Sequence, residues 1–149
     1  MFKLNRKIEY ALMALKYMGN KSAGDLTSAK EICEVYQTPF DPTARVLQIM
    51  AQNHILRAEQ GAHGGYQIVM DLSRVSLRAL SDMIIGPIEI TNCAQGDDSQ
   101  CAISETCQIM EPMVALNRQV ERFFDTVTVE SLIAPEETVS QTPQTQEAL

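Results

Sequence analysis

Hydrophobic positions recur along this chain in two periods, and the change of period divides it. Over residues 5–18, Ile8, Ala11, Leu12, Leu15 and Met18 stand three or four apart, the one-sided stripe of an amphipathic helix, with Gly19 as its stop. A second stripe, Ala29, Ile32, Cys33 and Tyr36, follows Ser28. Ser28 and Glu31 are spaced as a capping box, each satisfying an amide the helix start leaves free. Cys33, on this apolar face, reads as a core thiol. The run Gln37-Thr38-Pro39-Phe40 predicts a turn. Asp41 is then placed to cap a third helix, with Pro42 at its first position and Val46, Leu47 and Met50 as its buried stripe. The period then shortens. Ile55–Glu59 and Tyr66–Val69 read as strands, and the intervening Gln60-Gly61-Ala62-His63-Gly64-Gly65 can turn through positive φ. Three helices followed by a glycine-tipped hairpin predict a winged helix-turn-helix.

Beyond the hairpin, the helical period returns from Ser76 to about Ile85 and again over about 108–126, where Met113, Leu116, Val120, Phe123 and Val127 form a seam. Such a seam suits pairing with a second helix of its kind, or packing on its own domain. Pro112 either sits in the first turns of this helix or marks a break. Residues 91–107 are polar and aperiodic, and read as a loop carrying Cys93, Cys101 and Cys107. From Ala134 the chain is rich in Thr, Gln, Pro and Glu, the composition of a disordered tail. The expected fold is mainly α with a small β-hairpin wing. It comprises a DNA-binding domain over 1–90, a cysteine-rich loop over 91–107, a dimerisation helix and C-terminal turn over 108–132, and a tail over 133–149.

Composition sharpens this picture. At 149 residues, 45% hydrophobic and 21% charged, the chain makes one domain or one domain with an appendage. It has no apolar run of the ~20 residues a membrane span needs, and its N-terminus lacks a signal peptide's apolar stretch. A cytoplasmic protein whose four Cys serve as thiols or ligands is expected. Residues 1–91 hold ten Lys and Arg against nine Asp and Glu, a net +1, whereas residues 92–149 hold two against ten, a net −8. The overall −7 therefore leaves the first part free to approach a polyanion. Aromatic content of 5% with no Trp argues against stacking on single strands. With two His, His54 and His63, no nucleophile–base pattern and no phosphate-binding glycine loop, an enzyme is not expected.

Two constellations carry chemistry. In the first, the third helix enters a major groove, and the hairpin reaches a minor groove or a phosphate. Arg45 and Gln48 point off its buried stripe toward bases; Ser28, Thr38 and Thr43 offer hydroxyls or helix-start amides to phosphate. Arg6 and Lys7, with Lys3, add charge, and His63 sits at the wing tip. In the second, the three thiols of the 91–107 loop can converge on a soft metal centre, hold zinc or form a redox pair. Three thiolates leave a four-ligand set incomplete, so a cluster or zinc needs one further ligand.

The segments Lys3-Leu4, Glu9-Tyr10-Ala11-Leu12, Ala29-Lys30-Glu31-Ile32 and Gly61-Ala62-His63-Gly64-Gly65-Tyr66, with the downstream cysteine triad, resemble the bacterial winged-helix iron–sulfur regulators typified by IscR and NsrR. The likeness spans about residues 1–132. It implies a homodimer on double-stranded promoter DNA, the long helix of each subunit crossing to its partner. It also implies an iron–sulfur cluster, two-iron or four-iron, whose state tunes DNA affinity. Cys93, Cys101 and Cys107 then become cluster ligands. The IscR type places a His three residues after its third Cys, where this chain has Met110; the nitric-oxide-sensing type uses an acidic residue of the first helix of the other subunit, where this chain has Glu9. Glu105 and Glu111 compete with Glu9 for that role. The chain departs from the family pattern in the seven residues between its first two Cys, against a common five, in Asp41-Pro42-Thr43-Ala44 at the third helix, and in Gln60 before the wing glycine. The leading expectation is a regulator sensing redox state, nitric oxide, or iron or cluster supply. Its alternatives are a winged-helix regulator using free thiols or zinc, and a protein-interaction module that binds no DNA.

Overall fold

A computed structural model describes residues 3–94 and 101–135. Helix α1 (Arg6–Gly19) starts at Asn5, whose side chain accepts the Lys7 amide. Helix α2 (Ala29–Tyr36) starts at Ser28, whose hydroxyl accepts the Glu31 amide at 3.1 Å. Gln37 leaves α2 in the left-handed conformation, at φ 54°, and so turns the chain toward α3 (Phe40–Gln52). Ile8, Ala11 and Leu15 of α1, Ile32 of α2 and Val46, Leu47 and Met50 of α3 meet in one buried core. Leu80 and Ile84 of α4 (Leu77–Ile85) close it from the other side.

The wing is antiparallel. Strands β1 (Leu56–Glu59) and β2 (Gly65–Ile68) pair with Leu56 opposite Ile68 and Glu59 opposite Gly65. The outer edge of β2 is not bare: Thr27 and Tyr66 exchange both backbone hydrogen bonds at 2.9 Å, which ties the wing to the entrance of α2. The glycines at the tip are required by close approach. A Cβ on Gly64 would collide with the Glu59 carbonyl oxygen, and one on Gly65 would lie 2.8 Å from the Thr27 carbonyl oxygen.

Helix α5 (Met110–Thr126) packs beside α4 but fully buries only Asn117 and Phe124. The short α6 (Val129–Ile133) returns to α1, in the head formed by α1–α4 and the wing. The Leu77 amide donates to Val127 at 2.7 Å, the Val129 amide to Val75 at 2.8 Å, and Lys16 Nζ to the Ile133 carbonyl at 3.2 Å.

Some local expectations are corrected. Asp41 does not cap α3. The cap position is Pro39, so Asp41 and Pro42 occupy the second and third helical positions. A proline there removes no helical bond, because the first amides of a helix have no partner within it; the first bond runs from Thr43 to Pro39. Pro112 takes the same place in α5, where the first bond runs from Met113 to Ile109. Cys33 is half-buried rather than a core thiol. Ile32 faces the core, and the next residue is rotated by about 100° around the helix. Within the seam of α5, Leu116 and Phe123 are 41% and 63% exposed, and it is Phe124 that turns inward. The expected disordered tail falls, beyond Pro135, outside the described residues.

Candidate functional site

The head presents α3 and the wing on its surface. Arg45 and Gln48 are exposed on the face of α3 opposite Val46, Leu47 and Met50. His63 is exposed at the wing tip, and Lys3 and Lys7 near the start of α1 are exposed too. Arg6 is exposed but pairs with Glu9 at 2.7 Å. Ser28 is engaged as the α2 cap. Thr43 is corrected as a phosphate contact: it is 1% exposed, and its hydroxyl donates to the Pro39 carbonyl at 2.8 Å. It lies 3.0 Å from the Thr38 hydroxyl as well, so both threonines brace the turn from inside. Phe40, the first residue of α3, is 55% exposed, an apolar side chain at the start of the helix that residue-type reasoning passed over.

A polar clamp sets α2 against α1. The Tyr17 hydroxyl donates to Glu31 at 2.6 Å, Lys21 Nζ pairs with the same oxygen at 2.6 Å, and the Tyr36 ring meets Tyr17 edge-on at 6.1 Å. The bond from Lys21, then that from Tyr17, holds the Glu31 carboxyl below the usual carboxylate range. The acceptor on its hydroxyl pushes the Tyr17 phenol up.

Cys93 follows α4 on an irregular segment, and Cys101 and Cys107 flank a short 3-10 turn, Ser104–Thr106. All three thiols are free and half-buried, and Cys93 Sγ lies 3.5 Å from the Thr91 hydroxyl. Among the described residues, no three His, Cys, Asp or Glu side chains are grouped to hold a metal ion. The single chain thus carries the soft donors without bringing them together, and Glu9 faces Arg6 rather than a thiol. Ile103 and Ile109, each two residues along the chain from one of these thiols, are exposed.

A further network escaped sequence reasoning. Asn117, 1% exposed, accepts the Ile90 amide at 2.9 Å and donates to the Ile88 carbonyl and to Glu121 at 3.0 Å each. Glu121 lies 3.3 Å from Arg78 of α4, which also pairs with Asp125 at 2.9 Å and Asp82 at 3.7 Å. The bond to Asp125 leads the effects that raise the Arg78 pKa, whereas burial raises that of Asp82. The available signal was register: Asn117 stands four residues after Met113 and three before Val120, a polar residue on an apolar stripe.

A three-helix core, a third helix with exposed polar side chains and a tied glycine wing define a winged-helix regulator architecture. Residues 4–135 match the family described as Rrf2, iron-dependent transcriptional regulator. The chain belongs to the Rrf2 family and is a transcriptional regulator of that family, whose members bind DNA. It is similar to the HTH-type transcriptional regulator NsrR of Oceanobacillus iheyensis, 26% identical over 137 residues that cover 90% of this chain and 91% of that protein. Two solved structures share the fold. CymR of B. subtilis, described as its global cysteine regulator, is 18% identical with a TM-score of 0.63, covering 89% of this chain and 97% of that one. IscR of T. potens is 14% identical with a TM-score of 0.66, covering 95% and 94%. No helix among the described residues is long and apolar enough to cross a membrane.

Proposed function

We propose that this chain acts as a homodimer on promoter DNA and that the state of Cys93, Cys101 and Cys107 sets its affinity. The observation that carries this reading is the placement of three free, half-buried thiols in the stretch of chain between α4 and α5. The exposed Leu116 and Phe123 of α5, beside an open apolar cavity of about 890 Å³ that Val120 and Phe124 help line, supply the surface for a second copy. Arg45 and Gln48 read base edges, while Lys7, Arg6 and His63 meet phosphate.

The donor set fits an iron–sulfur cluster: three soft thiolates, with Glu9 of a second copy as a harder, weaker fourth ligand. A bound cluster would supply a redox-active iron centre with one labile ligand position, suited to a redox, nitric oxide or iron-supply signal. The chain's own part is to order the 91–107 segment around the thiols and carry that order to the head. A second reading is regulation through the three free thiols themselves or through zinc, for which the same Cys side chains are suitable ligands.

Anaerobic purification from iron-replete cells, with a visible spectrum and iron and acid-labile sulfide counts on one sample, tests both. Coloured protein containing both elements, and loss of the colour in Cys101→Ala, are the expected results. Colourless protein that takes up no iron after reconstitution overturns the cluster and leaves the thiol or zinc reading.

A further inference from the structure

We propose that Asn117 and Arg78 form a positioning relay that couples the backbone leading to Cys93 to helix α4, and so to the helix-turn-helix. The inference rests on the reading that thiol state controls DNA binding.

The hydrogen bonds of Asn117 define the first half. Its amide both accepts from Ile90 and donates to Ile88, which imitates one rung of a strand pairing and fixes the 88–90 backbone in a single register on α5. Its second N–H goes to Glu121, so both amide protons and the carbonyl oxygen are engaged while the side chain is fully buried. An apolar side chain at this point of the α5 stripe would bury surface without that polar demand. A fully satisfied buried amide instead specifies one arrangement of the chain around it. Ile90 is three residues from Cys93, a tether of at most roughly 10 Å. Thr91 extends that tether by placing its hydroxyl 3.5 Å from Cys93 Sγ. A ligand or bond formed at Cys93 therefore draws on backbone that Asn117 holds.

Arg78 defines the second half. Glu121 uses one carboxylate oxygen for Asn117 and the other for Arg78. Arg78 pairs with three carboxylates, Asp82 of its own helix and Glu121 and Asp125 of α5, and so bridges α4 to α5. The opposite face of α4, with Leu77, Leu80 and Ile84, is buried, and α4 packs against α1 and α3. Release of the 88–90 segment leaves Asn117 bonded to Glu121 without its backbone anchor, so Glu121 can shift against Arg78 and reseat α4 on α5, while the Arg78–Asp125 pair keeps the two helices together. Ile88, itself part of the buried core, moves with the same segment.

The test uses the full chain and a duplex selected by the wild type from a random library. DNA affinity is measured in three states: reduced and metal-free, treated anaerobically with iron and sulfide, and oxidised with diamide. At least one treatment should change wild-type affinity ~5–150-fold, the usual range of coupling between sites. That change should fall to within about twofold in Asn117→Leu and in Arg78→Gln. Hydrogen exchange supplies a readout that a merely structural role would not move: the Ile90 amide should lose protection in the same state that changes wild-type DNA affinity. If neither treatment alters wild-type affinity, the thiol-control reading falls and the relay falls with it. If the wild type responds and Arg78→Gln, folded by circular dichroism, responds equally, the relay alone is overturned. If Asn117→Leu does not fold, Arg78→Gln and the Ile90 exchange decide the matter, and unchanged Ile90 protection overturns the relay.

Discussion

The head and the α5 arm are built from the same kinds of residue and reach opposite ends of the packing scale. In the head, α1 and α3 together place nine side chains below a tenth of their free exposure, and Ala11, Ala14, Leu15, Leu47 and Met50 are wholly enclosed. In the arm, seventeen helical residues enclose two, and one of those is an asparagine. The head is complete as a single chain. The arm is held to it by the burial of Phe124 and by the hydrogen bonds and ion pairs of Asn117 and Arg78, and it leaves Leu116 and Phe123 exposed. The head, which the proposed function sets on DNA, is thus tightly packed, while the part next to the thiols has fewer buried contacts to resist movement.

The sharpest way to break this contrast is a matched pair of truncations. Leu47→Ala in the head should lower stability by ~2–5 kcal/mol in denaturant unfolding, the range for a fully buried leucine. Phe123→Ser in the arm should stay within about 0.5 kcal/mol per chain while shifting the sedimentation mass from two chains to one. Equal stability losses would erase the distinction between the two regions. Next in size, Gly64→Ala forces a Cβ onto the Glu59 carbonyl and should destabilise by ~1–3 kcal/mol, with strand amides of the wing exchanging first. Arg45→Ala should weaken a selected duplex by ~1–3 kcal/mol and a scrambled one far less; Lys7→Ala should weaken both alike and reduce the salt slope by about 1. The smallest effect concerns the Glu31 clamp. Because the folded pKa of Glu31 lies below its ordinary value, its contribution is present above that value and disappears as pH falls through the folded one. In Lys21→Met the acid-side loss of stability should be shallower by less than about 1 kcal/mol, since the Glu31 side chain is 35% exposed, as urea midpoints at neutral and acid pH will register.

The head was legible in the sequence because its signals are local. Ser28 and Ser76 each lie three residues before the amide they cap, and the glycines of the wing sit between two short strand patterns. Where a local signal competed with another, it misled. Asp41-Pro42 looks like a cap and a first position, but Pro39 and the Thr38–Thr43 hydroxyl pair start the helix two residues earlier. The site was less legible. Arg45 and Gln48 follow from the buried stripe beside them, whereas the engagement of Arg6 with Glu9 and the burial of Thr43 depend on side-chain geometry. The bonds of Asn117 to Ile88 and Ile90 cross twenty-nine and twenty-seven residues of chain, and no local pattern encodes such a pairing.

The uneven charge of the chain has a consequence for how it searches DNA. With +1 over residues 1–91 and −8 beyond, the sequence distributes its charge unevenly, and the acids of α5 include Glu111, Glu121 and Asp125. A phosphate backbone tolerates the near-neutral first part of the chain better than the acidic remainder, which favours encounters through the former. The overall −7 also weakens the sequence-independent attraction that would hold the protein on unrelated duplex. The protein should travel by repeated collision through solution more than by sliding along the duplex, and find its site quickly only where promoter targets are few and tightly held.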